Sequence, residues 1–254
     1  MTQDERILAL NEIITRQGKV TLDFICQRFG ISVDSARRDL VRLSRQPGIL
    51  RIRGGALYQP EKPVGRSYDE RAQPDAVKSR LARAAVTLIQ PHEVILLDTG
   101  STLAELTRRI EVEATLITNS IDILAIASHQ PGLRSIMLGG EFNPFNRAIY
   151  TPESVRPLPG YRADKAFIGV AAFSTAGVSC EQEVEATFKC TLAGQAAYTI
   201  CIAEHAKFGQ RLLYPACRWD EIDCVITDQA PPPAMRQVLE AHDVHVWIVE
   251  EGEC

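Results

Sequence analysis

The 254-residue sequence predicts an α/β protein, a mostly parallel sheet with helices on both faces, preceded by a small helical module. Three observations predict this. From residue 75 onward, strand-like and helix-like apolar patterns alternate. The first 57 residues instead show three short helical patterns and then one alternating strand. Charge divides at the same place: residues 1–57 hold 10 Lys and Arg against 6 Asp and Glu, and residues 58–254 hold 18 against 26. A basic head on an acidic body predicts that only the head meets a polyanion.

Composition narrows the classes. With 45% hydrophobic and 24% charged residues, the chain is neither disordered, nor collagen-like, nor a small disulfide scaffold. No apolar run approaches the roughly 20 residues of a membrane helix. The start lacks the basic-then-apolar order of a signal peptide. Seven scattered cysteines without a C-x-x-C pair suit reduced thiols in a cytoplasm better than disulfides or zinc. A cytoplasmic protein is therefore expected, with no membrane partner, metal or cofactor.

The elements follow in order. Ile7, Leu10, Ile13 and Ile14 give the first helix, which Gln17-Gly18 ends. Thr21 opens a second, with Leu22, Ile25, Cys26 and Phe29 on one face. Gly30-Ile31-Ser32 is a tight connection, and Ser32 suits the N-cap of a third helix. That helix places Val33, Ala36, Leu40 and Leu43 on one stripe and centres the opposite face on Arg38. Two helices across a tight turn, the second with a basic outer face, form a helix-turn-helix. Ser35 and Arg38 are expected to read bases, since Arg grips guanine with two hydrogen bonds. Arg42 and Arg45 are expected to grip phosphates, with Ser32, Asp34 and Arg37 in the same DNA-facing set. Asp39 repels phosphate and is expected to pair with an arginine inside the module. In residues 49–57, Leu50 and Ile52 are expected inward and Arg51 and Arg53 outward on one side, with a turn at Gly54-Gly55. Such a hairpin is a wing beside the recognition helix, so the module is expected to be a winged helix-turn-helix.

Residues 4–57 resemble the N-terminal domain of DeoR-type bacterial transcriptional regulators. The resemblance rests on Arg6, on Ser35-Ala36-Arg37-Arg38-Asp39-Leu40 and on Arg53-Gly54-Gly55-Ala56. The family commonly has Thr-Ile where this chain has Ser35-Ala36, and His where it has Arg53.

Residues 58–74 read as linker and lead-in, and residues 75–254 as an α/β domain for effector sensing and oligomerisation. Helices are expected at 75–89, 102–110, 121–128, 183–197 and 233–241. Strands are expected at 94–97, 115–118, 134–138, 165–172, 198–203, 224–227 and 244–249. In open α/β sheets, ligands bind beyond the carboxyl ends of the strands. Four polar clusters fall there: Asp98-Thr99-Gly100-Ser101-Thr102, Thr118-Asn119-Ser120, Gly139-Gly140-Glu141, and the loop carrying Lys207. The first, at a helix start, has the makings of an anion pocket, and Lys207 brings a cation to the same edge.

Their order resembles the DeoR-family effector domain, through Arg71 with Lys78, these four clusters, Asp164-Lys165-Ala166-Phe167-Ile168-Gly169 and Lys207-Phe208-Gly209. The resemblance implies a fold like that of ribose-5-phosphate isomerase and a sensor for a phosphorylated sugar or related metabolite. Many members have Asp-Gly soon after the Gly169 position, where this chain has Ala171-Ala172-Phe173. An isomerase needs a carboxylate base and a cation at the reacting carbons, and Val170–Ser174 holds no acid. Glu183, Glu185 and Lys189 lie on one helix and could approach the pocket, although at i, i+4 Glu185 and Lys189 are more often a surface pair. The expected function is a regulator that binds double-stranded operator DNA, is not an enzyme, represses a carbohydrate operon, and works as a homo-oligomer under a phosphorylated effector. The alternatives are an isomerase carrying a DNA module and a DNA-binding protein with a vestigial pocket.

Overall fold

The computed structural model describes residues 2–44, 46, 49–58, 68–73 and 75–250. Arg45 and most of the expected linker lie outside the described residues. The chain divides into two compact units, Met1–Gly65 and Arg66–Cys254.

In the first unit, α1 (Gln3–Gln17) starts at a capping box between Thr2 and Glu5 and ends at Gly18 in the left-handed region. A short strand, β1 (Lys19–Thr21), leads directly into α2 (Leu22–Phe29). Ser32 caps α3 (Val33–Leu43) by accepting the Ser35 N–H. β2 (Ile49–Ile52) and β3 (Gly55–Tyr58) form the wing, and β3 also pairs with β1. Ile7, Leu10, Ile14, Ile25, Ala36, Leu40 and Leu43 close the core. Val33 departs from the expected stripe and is 46% exposed. It stands at the first position of α3, outside the core built by the following turns.

The wing departs from expectation in register. Ile52 pairs with Gly55, so the turn is Arg53-Gly54 and Arg53 is not on the strand with Arg51. Gly54 has φ 82°, the positive value a type II turn demands at its third position. Gly55 is needed for another reason. A Cβ there would stand 2.1 Å from the Val20 carbonyl oxygen, where β1 crosses close.

The second unit opens with α4 (Tyr68–Arg71) and α5 (Ala76–Val86). β4 (Val94–Leu97), α6 (Ser101–Thr107), β5 (Ala114–Thr118), α7 (Ile121–Ala127) and β6 (Leu133–Met137) follow. A small hairpin, β7 (Phe142–Asn143) and β8 (Ala148–Ile149), precedes α8 (Pro152–Val155). Then come β9 (Ala163–Gly169), β10 (Ala172–Ser174), β11 (Gly177–Cys180), α9 (Glu183–Ala193) and β12 (Ala196–Ile202). β13 (Tyr214–Cys217), β14 (Cys224–Thr227), α10 (Pro233–Ala241) and β15 (His245–Ile248) complete the described elements.

Seven strands form one parallel sheet in the order β15-β14-β12-β9-β4-β5-β6. One apolar layer packs Leu81, Ala85, Leu103, Leu106 and Ile123 on Ile95, Leu97, Leu116 and Phe167. Another sets Phe188 and Leu192 of α9 against Leu96, Ile117 and Ala166. Alternate residues of the strands thus face opposite layers, as a sheet buried on both sides requires. The strand expected at 165–172 ends at Gly169, and Ala172 begins a separate antiparallel sheet, β10-β11-β13. The helix expected to Ala197 stops at Ala193, where Gly194 caps it and β12 begins.

Candidate functional site

Among the described residues, the basic face of α3 stands in solvent. Arg37, Arg38 and Arg42 are exposed, as are Arg51 on the wing strand and Arg53 at its turn. Asp34 bonds Arg37 at 3.4 Å, and its carbonyl receives the Arg38 Nε at 3.4 Å. Both contacts are long and exposed, and a phosphate or base edge can displace them. Ser32 and Ser35 hold each other at the helix start, 3.1 Å between hydroxyls. Ser32 therefore serves first as a cap. Asp39 is fully buried and pairs with Arg6 at 2.8 Å, with Gln3 adding a further bond at 2.9 Å. That pair joins α1 to α3 and fixes which face of α3 looks outward.

In the second unit, the first strand-end cluster follows β4. Ser101 and Thr102 are half-buried at the start of α6. Thr99 donates to the Asn146 carbonyl at 3.1 Å. A groove beside α6 is lined by Tyr68, Ala72, Gln73, Asp75, Lys78, Ser101, Ala104, Glu105 and Arg108. Lys78 donates to the Arg71 carbonyl at 2.6 Å and lies 3.9 Å from Glu204 at the end of β12. The Glu204 carbonyl receives the Lys207 amide at 2.9 Å. Lys78 thus links Ser101's groove to the segment bearing Lys207.

The Lys207 loop is anchored by stacking. Phe208 lies 4.7 Å from Phe173, which lies 5.4 Å from Trp219. Phe173 occupies the stretch where this chain departs from the common family pattern, and it supplies the surface on which the loop rests.

The second cluster has tasks of its own. The Thr118 hydroxyl accepts the Ser120 N–H at 3.1 Å, and the Ser120 hydroxyl caps α7 through Ile123. Asn119 donates to the Ile149 carbonyl at 3.0 Å and so holds the hairpin. Thr118 and Ser120 are engaged locally, while Asn119 keeps an unpartnered Oδ1 among the described residues. Gly139, Gly140 and Glu141 are exposed, and Gly140 packs against Thr151.

Asp98 does not join the anion pocket expected of its cluster. It is fully buried and its Oδ2 accepts from Lys189 and from the Gly169 N–H. Lys189 also donates to the Gly169 carbonyl at 2.8 Å and lies 3.4 Å from Glu185. Asn146 joins Glu185 at 3.4 Å to Arg71 at 2.7 Å. Glu185 and Lys189 are therefore not a surface pair, because both lie on the buried face of α9. Burial works against the Lys189 ammonium, yet the Asp98 and Glu185 carboxylates hold its pKa above the ordinary lysine value. Burial pushes the Asp98 carboxyl up while Lys189 pulls it back. Gly169 makes this contact possible: a Cβ there would stand 2.9 Å from the Thr99 carbonyl oxygen.

Sequence reasoning did not assign Arg71, Asn146 or Tyr150 to a site, and it weighed Glu185 and Lys189 only as residues of one helix that could approach the pocket. The available signal was in α9, where Glu185, Phe188, Lys189 and Leu192 share one helical face. Among the described residues, no three His, Cys, Asp or Glu side chains gather to hold a metal ion, and no helix is long and apolar enough to cross a membrane.

Comparison with known proteins agrees with both units. Residues 6–62 match the DeoR-like helix-turn-helix domain, and residues 74–229 match the DeoR C terminal sensor domain. The HTH-type transcriptional repressor GlcR of Bacillus subtilis (strain 168) is 32% identical over 255 residues, covering 100% of this chain and 99% of the relative. The glycerol-3-phosphate regulon repressor of Escherichia coli (strain K12) is 24% identical over 249 residues, covering 97% and 99%. Ribose 5-phosphate isomerase A from Methanocaldococcus jannaschii aligns with TM-score 0.39 and 20% identity over 53% of this chain and 55% of that one. With a DeoR-like head, a DeoR sensor body and full-length relatives named as transcriptional repressors, the chain belongs to the DeoR family of DNA-binding transcriptional regulators.

Proposed function

We propose that this regulator represses genes of carbohydrate use and releases its operator when a phosphorylated sugar or related metabolite binds the body. The observation that carries the reading is the union, in one chain, of an exposed arginine face on α3 with a sensor-domain body that has a groove beside α6 lined by Ser101 and Lys78. The names of the relatives point the same way, since one is a repressor of a glycerol-3-phosphate regulon. The phosphate rests at the start of α6 against Ser101 and Thr102, with Lys207 supplying charge. A single head buries too little surface for tight operator binding, so two or more copies act together on repeated half-sites. The working compartment is the cytoplasm, where operator and phosphometabolite meet.

The body is read as a sensor and not as an isomerase. Of the acids near the floor of the site, Glu185 is held by Lys189 and Asn146, and Asp98 by Lys189. Ligand energy changes DNA affinity only if it differs between two arrangements of the protein.

The test is a melting-temperature screen of the full chain against phosphorylated sugars, followed by Lys207→Ala. At least one sugar phosphate is expected to raise the melting temperature and to release DNA, and Lys207→Ala is expected to abolish that response. An unaltered response in Lys207→Ala moves the anion site elsewhere.

A further inference from the structure

We propose that the buried cluster around Asp98 and Lys189 binds the neutral, hydroxyl-bearing end of the effector, so that the protein takes a polyhydroxylated monophosphate with its hydroxyls inward and its phosphate outward. This rests on the sensor reading above and adds the ligand's chemical class and orientation.

Charge balance gives the orientation. Arg71 and Lys189 face Asp98 and Glu185 through one connected set of contacts. Two cations match two carboxylates, so the cluster has no positive excess for an anion. A phosphate or carboxylate pushed inward would meet both acids in a low-dielectric interior, where repulsion is strong. Lys189 is also engaged, since it donates to Asp98 and to the Gly169 carbonyl and lies 3.4 Å from Glu185.

The unpartnered atoms give the chemical class. Among the described residues, Asp98 Oδ1, Tyr150 Oη and Arg71 Nε are buried and meet no partner. They are respectively an acceptor, a group that both donates and accepts, and a donor. A ligand hydroxyl offers one donor and two acceptor sites. Neighbouring hydroxyls on a carbon chain can therefore satisfy acids and donors together, which neither a phosphate nor an alkyl group can. Tyr150 is held by an edge contact with Phe188, 5.6 Å between ring centres. Burial first, then the charges of Asp98 and Glu185, keep its hydroxyl protonated well above neutral pH.

The experiment is calorimetric titration of the full-length protein and its Tyr150→Phe variant. The probes are inorganic phosphate, glycerol 3-phosphate, ribose 5-phosphate, fructose 6-phosphate, glucose 6-phosphate and 6-phosphogluconate. Tyr150→Phe removes only the hydroxyl, and the ring keeps its place on Phe188, so the ligand-free melting temperature is expected to hold. The tightest neutral sugar phosphate is expected to lose about tenfold in affinity, the size of one buried hydrogen bond. Inorganic phosphate is expected to bind both proteins alike. Each neutral sugar phosphate that binds wild type is expected to bind more tightly than 6-phosphogluconate, whose carboxylate would face Asp98 and Glu185. Equal sugar-phosphate affinity in the two proteins overturns the proposal, as does tighter binding of 6-phosphogluconate. Should Tyr150→Phe melt lower, that ranking on wild type decides alone. Binding of none of the sugar phosphates at millimolar concentration overturns the sensor reading itself.

Discussion

Arg38 and Asp39 are neighbours in sequence with opposite tasks. Arg38 stands in solvent at the centre of the outer face of α3, and Asp39 is buried against Arg6. The first is expected to act on DNA and the second on the head's own stability. Arg38→Ala should weaken operator binding about 10- to 100-fold, the worth of one good base contact, with the melting temperature unchanged. Asp39→Asn should lower the melting temperature of the head, because Arg6 loses its charged partner. A mobility-shift titration beside a thermal melt separates the two effects, and the same loss of affinity without loss of stability in both variants would refute the division. In the body, Lys189→Met leaves Asp98 and Glu185 buried with no ammonium between them. It should cost about 3–5 kcal/mol of stability, read from urea unfolding. A cost below about 1 kcal/mol, the level of an exposed pair, would mean that the cluster is open to water.

At the scale of elements, legibility follows the strength of local patterns. The short continuous apolar runs of 94–97 and 224–227 and the helical apolar pattern of 233–241 give those elements at their observed bounds. The caps at Thr21 and Ser32 are likewise readable, because short hydroxyl side chains at helix starts have few other roles. The sheet β10-β11-β13 was not legible, since its strands are three or four residues long and pair across a stretch of more than thirty residues. Site legibility divides in the same way. Ser101 and Thr102 announce themselves at a strand-to-helix turn. Arg71, Asn146 and Lys189 come from three distant segments, and only the fold brings them together. Glu185 and Lys189 look like an exposed i,i+4 pair until their spacing to Phe188 and Leu192 is weighed. The loop holding Lys207 offers a test at this scale. Phe208→Ala removes the ring stacked on Phe173 and should cost about 3–5 kcal/mol, the usual range for a buried phenylalanine. It should also blunt the ligand response, because Lys207 is the preceding residue. A full response at saturating ligand would show that the stack does not position the lysine.

For the body as a whole, the titrating groups predict lability in alkali. Burial raises the Tyr68 phenol to about 12 from its ordinary 10.0. Between those values the unfolded chain releases a proton that the folded chain keeps, so stability falls as pH rises. Lys189, held charged above the ordinary lysine value of 10.5, adds to the same slope, since its contribution is complete below that pH and declines above it. Urea midpoints should therefore drop from pH 9 to pH 11, and Tyr68→Phe should flatten part of that drop. A constant midpoint would contradict the burial of Tyr68 and the ion pairs of Lys189. The two units act in turn: the head grips DNA, and what the body binds decides whether it lets go. The most direct measurement is a mobility-shift titration of the full-length protein on duplex DNA from upstream of its own gene, at modest salt, with and without phosphorylated sugars. A specific complex is expected, and at least one sugar phosphate is expected to weaken it. Absence of any complex, with the sugars and without them, would contradict these roles of the two units.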